Sequence, residues 1–77
     1  MTRKPTISEL DLSIMAIIDK AEREAGSAPF IKDIASQLSV SASTVHNHIK
    51  KMTCMGLITK DDLHGLRVTQ RCRALYL

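Results

Sequence analysis

Seventy-seven residues, 44% hydrophobic and 25% charged with a formal net charge of +3, suffice for one domain with a limited core. One Phe, one Tyr and no Trp argue against a pocket with aromatic walls. Two cysteines without a CxxC pair argue against a disulfide framework or a zinc site, and no apolar run reaches the ~18 residues of a membrane span.

Residues 1–6 read as a flexible arm carrying Arg3 and Lys4. No apolar stretch follows them, so they are not a secretory signal. Thr6 and Glu9 have the spacing of a capping box. Leu10, Ile14, Ile17, Ile18, Ala21 and Ala25 then recur at helical intervals, with Asp11, Asp19, Glu22, Arg23 and Glu24 mostly on the other side. This predicts a first helix over residues 7–25, stopped by Gly26. After the loop Ser27-Ala28-Pro29, Phe30-Ile31 forms a brief strand or leads into a second helix, whose buried face is Ile34, Ala35 and Leu38. Ser39-Val40 is a turn, with Val40 facing inward.

Ser41 or Ser43 caps a third helix. Val45, Ile49, Met52 and Met55 share one face, His48 sits at its edge, and Gly56 ends it. Residues 57–60 and 66–69 are strand candidates around Asp61-Asp62-Leu63-His64-Gly65, hence a hairpin. In that hairpin Lys60 and Arg67 are expected near one another, pairing with Asp61 or Asp62. Residues 70–77 add one or two helical turns. The fold class is mainly α (α+β): three helices, a two-stranded hairpin and a short C-terminal helical segment, in a single domain over residues 7–77 after the arm.

Charge divides along the chain. Residues 1–38 hold five Lys/Arg and six Asp/Glu (−1), and residues 39–77 hold six Lys/Arg and two Asp/Glu (+4). The basic excess lies in the half containing the third helix, which suits a polyanion-facing side with an acidic far side. Chance placement of solvated charge explains the same numbers equally well.

At ~100° per residue, Ser43, Asn47, Lys50 and Cys54 point away from the apolar face of the third helix. His46 and Lys51 flank that stripe. Asn can bond an adenine edge twice and Lys can reach guanine acceptors. Hydroxyls and a helix N-terminus suit phosphates. Ser43, His46, Asn47 and Lys50 are therefore candidates for base contact, and Ser41, Thr44 and Lys51 for backbone contact. Arg67 is the hairpin candidate, since an arginine can enter a narrow minor groove. A salt bridge is the competing role for it. Arg3 and Lys4 can serve as an arm into a neighbouring groove, or simply be a tail. His46 and His48 face different ways and cannot share a metal, and no metal or cofactor is expected.

The stretch from Ile31 to Ile58, KDIASQLSVSASTVHNHIKKMTCMGLI at its centre, resembles the winged helix-turn-helix DNA-binding domains of bacterial and phage regulators. The first helix through Ile58 looks most similar to the LexA type, and the ending GLRVTQRCRAL to the wing and following helix of MarR-type regulators. The resemblance covers residues 7–75. Two features depart from it: Phe30-Ile31 stands where a Ser/Thr cap precedes the second helix, and the wing tip is acidic, Asp61-Asp62. The resemblance implies a cytoplasmic, small, repressor-like transcriptional regulator of prokaryotic or phage type. It would place its third helix in the major groove of double-stranded DNA, and since one small domain binds weakly, a homodimer covering two half-sites is expected. A winged helix that docks proteins, or a non-regulatory role in replication or phage genome handling, is the alternative. An enzyme is not expected, for no nucleophile–base pair, carboxylate dyad or Gly-rich phosphate loop is visible. Neither a membrane nor a small-molecule partner is indicated.

Overall fold

The first helix opens on a capping box, but not the one expected. In the computed structural model, which describes residues 7–26, 29–61 and 65–77, Ser8 is the N-cap of α1 (Glu9–Ala25). Its Oγ accepts from the Asp11 N–H, and Asp11 Oδ2 accepts from the Ser8 N–H, both at 3.1 Å. The box works because Asp11 is both the reciprocal acceptor and a residue held down by other partners, described below. Thr6 and the rest of the proposed arm, Arg3 and Lys4 included, lie outside the described residues, as do Ser27, Ala28 and the stretch from Asp62 to His64. Gly26 ends α1 at φ 74, in the left-handed region open to glycine.

The buried side of α1 is rotated from the expected one. Asp11, Ile14, Met15, Ile18 and Asp19 are its buried residues, the i, i+3, i+4, i+7 set of one helical stripe. Leu10 and Ile17 flank this stripe as partly buried neighbours. The expected stripe was off by roughly 70°, most of one residue step at ~100° each. Weighting apolar residues alone caused the shift, because two carboxylates belong to the buried face.

Phe30 leads directly into α2 (Ile31–Leu38), as its N-cap and without a side-chain hydrogen bond; no strand forms there. The helix ends on Ser39 at φ 57, and the Val40 N–H reaches back to the Ala35 carbonyl at 3.0 Å. Ser41 then caps α3 (Ala42–Cys54) by accepting from the Thr44 N–H at 3.2 Å. At the far end Leu57 N–H bonds the Met52 carbonyl (3.0 Å) and Gly56 N–H the Thr53 carbonyl (3.1 Å), with Gly56 at φ 77. This is a Schellman ending, and it turns the chain into β1 (Ile58–Asp61).

β1 pairs antiparallel with β2 (Gly65–Val68) in the register Ile58↔Val68, Thr59↔Arg67, Lys60↔Leu66. Cross-strand partners share a face and neighbours alternate. Lys60 therefore lies on the face of Leu66, Ile58 and Val68, and Arg67 on the opposite one. The expected proximity of Lys60 and Arg67 is thus not found, and Asp62, one of their expected partners, lies outside the described residues. Thr69 Oγ1 caps α4 (Gln70–Tyr76) by accepting from the Cys72 N–H (3.1 Å) and donates to the Gly56 carbonyl (2.7 Å). It thereby ties the last helix to the end of α3. The core joins Ile14, Met15 and Ile18 of α1, Ile34 and Ala35 of α2, and Val45, Ile49 and Met52 of α3. Leu57, Ile58, Val68 and Cys72 complete it. The Cys72 thiol sits 3.1 Å from Met15 Sδ, and burial pushes its pKa up. The fold is a mainly helical four-helix domain with a two-stranded antiparallel hairpin.

Candidate nucleic-acid interface

The apolar side of α3, Val45, Ile49 and Met52, is fully committed to the core. This fixes which way the rest of the helix points. Ser43, His46, Asn47 and Lys50 are exposed along one outward stripe, and Cys54 continues it at the C-terminal end. Both features follow from helical phase and were legible in the sequence. At the N-terminal end of the helix Ser41 Oγ lies 2.8 Å from Thr44 Oγ1. The two hydroxyls therefore serve the cap first and offer only their remaining lone pairs outward.

Lys51 and Arg67 are placed differently from the other candidates. Lys51 Nζ donates to Asp11 Oδ2 at 2.7 Å, and His48 Nδ1 lies 2.5 Å from Asp11 Oδ1. Asp11 has no solvent exposure, whereas Lys51 is half-exposed. Burial alone would raise the Asp11 pKa. Hydrogen bonds from Lys51, His48 and the Ser8 N–H, with the Lys51 charge, outweigh burial and bring it to about 2. An ionised carboxylate has no proton to give, so His48 carries its proton on Nδ1. The result is a polar anchor from α1 to the side of α3 away from the hairpin.

A second anchor holds the hairpin. Arg67 Nη2 and Nε both donate to Glu22 Oε1, at 2.6 and 3.1 Å. Arg73 Nε donates to Asp19 Oδ1 at 3.1 Å, and its Nη2 lies 3.2 Å from Glu22 Oε2. The hydrogen bond from Arg67, with the charges of both arginines, keeps the Glu22 carboxyl below its usual range against the effect of burial. Arg23 closes on Asp19 within α1 at 3.1 Å. Glu22 and Asp11 stand eleven residues apart, about three turns, on one side of α1. α1 thus grips α3 near its start and β2 and α4 near its end.

The acidic first half of the chain is therefore no separate far side, since three of its carboxylates neutralise cations of the second half. Sequence reasoning missed Asp11, Asp19 and Glu22 as supports of the site. Asp11 falls inside the i, i+3, i+4, i+7 stripe of α1 with Ile14, Met15 and Ile18, but its burial is readable only once its partners are known.

Between α3, the start of α2 and the hairpin runs a cleft of about 780 Å³, lined in part by Phe30, Ile31, Ile49 and Leu66. Phe30 is 74% exposed at its rim. Nothing in the sequence signals this cleft, because its walls come from three separated segments. Cys54 is exposed and Cys72 buried, both as free thiols. Among the described residues no group of three or more His, Cys, Asp or Glu can hold a metal ion, and no helix is long and apolar enough to cross a membrane.

Residues 31–59, the helix-turn-helix and the first strand residues, match a family described as winged helix-turn-helix DNA-binding. No curated protein sequence matches the chain. Among solved structures, IdeR of T. acidophilum superposes with a TM-score of 0.69 at 22% identity, over 88% of this chain and 30% of IdeR. The chain thus spans less than a third of that protein. A protein of Ralstonia eutropha JMP134 described as DNA-binding superposes with a TM-score of 0.65 at 18% identity, over 92% of this chain and 94% of its own. At these identities the two structures speak for the fold alone. Across its second and third helices the chain is thus similar in sequence to the winged helix-turn-helix DNA-binding family, and over most of its length it has the fold of these two structures.

Proposed function

We propose that this domain reads double-stranded DNA by laying α3 in the major groove, as a small repressor-like transcriptional regulator. The observation that carries the reading is the outward stripe of Ser43, His46, Asn47 and Lys50, all exposed on a helix whose other sides are fixed by the core and by Asp11. Asn47 and Lys50 have the donors and acceptors for base edges, and Ser43 and His46 extend the same surface. Ser41 and Thr44 suit phosphates at the helix start. We assign Lys51 and Arg67 to holding α3 and the hairpin in position, since each meets an α1 carboxylate.

One domain of this size covers little DNA, so two copies on adjacent half-sites are needed for tight binding. We therefore infer a homodimer on DNA, in the cytoplasm of a prokaryote or phage-infected cell, with residues 7–77 acting as one unit.

Fluorescence anisotropy with a random duplex pool at two salt concentrations tests the reading, with wild type beside Asn47→Ala/Lys50→Ala. Binding that weakens as salt rises and is lost in the double variant is the expected result. Absence of binding at low salt overturns it. The second reading, a protein-docking module, draws on the exposed side chains of Leu12, Phe30 and Leu77; binding that ignores salt would favour it.

A further inference from the structure

The cleft beside α3 has apolar walls that the DNA reading does not use. Its floor and walls are apolar: Ile31 from α2, Ile49 from α3 and Leu66 from β2, with the Phe30 ring at the rim. Three further lining residues, His46, Lys50 and Lys60, are cationic or can become so, and no Asp or Glu is among the described residues that line it. At about 780 Å³ it falls in the range of small-molecule clefts, ~300–1,000 Å³, which pair apolar walls with a few polar groups. Hydrophobic walls attract an apolar body, and a one-sided set of cations selects a negative headgroup.

We propose that this cleft binds a small amphipathic organic anion, an aliphatic or aromatic carboxylate or sulfonate, with its body against Phe30, Ile49 and Leu66 and its headgroup at Lys50 and Lys60. His46 and Lys50 belong to both the cleft and the outward stripe of α3. A bound anion neutralises Lys50 and occupies the space beside it, so ligand and DNA exclude one another. Only this last consequence rests on the DNA reading.

The test begins without DNA. Titration with 1-anilinonaphthalene-8-sulfonate is expected to give saturable binding at one site per chain, displaced by decanoate and not by decanol. Lys60→Glu and Phe30→Ala should each weaken it by about fivefold or more. Both side chains are exposed, so the fold is kept. Lys20→Glu, an equal charge change on the exposed side of α1, should leave it unchanged. Equal affinity in all three variants, or displacement by decanol as effective as by decanoate, overturns the proposal. So does loss of the probe signal on concentrating the protein with a heavier species in sedimentation, because a second copy then fills the cleft. A separate titration of duplex DNA against the decanoate-saturated protein should show weakened DNA binding. Probe binding with unchanged DNA affinity refutes the exclusion, and absence of DNA binding at low salt refutes the DNA reading while leaving the cleft result intact.

Discussion

Asp11 joins four functions in one side chain: it closes the capping box, fills a core position, fixes the His48 tautomer and receives Lys51. Its pKa of about 2 against a usual 3.8 makes the fold a preferential binder of the ionised form. The folded-state pKa is depressed, so the stabilisation is complete above about pH 4 and disappears as pH falls toward 2. It amounts to roughly 2 kcal/mol. Chemical denaturation of Asp11→Asn beside wild type should show this part of the acid sensitivity missing between pH 4 and 2. An unchanged pH profile would mean that the carboxylate is not held as described. Lys51→Met leaves the buried carboxylate with His48 and one backbone N–H, at a cost of about 2 kcal/mol. It should leave the slope of log affinity against log salt unchanged; a phosphate contact at Lys51 would flatten that slope by about 0.9.

Each element carries its own start and stop signals, and most were readable: the Ser41 cap, the Gly26 and Gly56 endings, the hairpin and the last short helix. The turn between α2 and α3 rests on a less favourable residue. Ser39 sits at φ 57, where a side chain costs about 1 kcal/mol or more relative to glycine. Ser39→Gly removes that strain but loosens the unfolded chain, so a net gain of about 0.5 kcal/mol is expected in thermal or denaturant unfolding. Beside the apolar packing of Ile58 and Val68 in the core, Arg67 ties the hairpin to Glu22 of α1. A double-mutant cycle of Arg67→Ala and Glu22→Gln should give a coupling of about 1 kcal/mol. Amide exchange in β1 and β2 should quicken in either single variant, whereas no coupling would separate the hairpin from α1. The sequence could not reveal this contact, because 45 residues separate the partners and nothing local favours Glu22 over Asp61 or Asp62 for Arg67.

At the scale of the whole molecule, periodicity and turn residues made the architecture legible, and helical phase made the outward stripe of α3 legible. The phase of α1 was not, since an acid inside an apolar stripe signals burial only once its partners are known. The cleft was invisible for a related reason: Phe30, Ile49 and Leu66 meet only through the packing of α2, α3 and the hairpin. Charge gives the same lesson. The formal +3 hides that Lys51, Arg23, Arg67 and Arg73 all lie against carboxylates of α1, whereas Lys50 and Lys60 line the cleft at the outward stripe. On the DNA reading, few phosphates are neutralised per chain, and a salt slope of about −2 to −3 per chain is expected. A slope near −6 would mean that the α1 ion pairs open on DNA.

The two anchors of α1 therefore set a kinetic property as well as a shape. On the DNA reading, cations already paired with α1 carboxylates hold the domain less firmly on arbitrary sequence, so each non-specific visit would be brief. A regulator of that kind would explore a genome by repeated collision from solution more than by travel along the duplex, with long residence left to sites that satisfy the groups on α3.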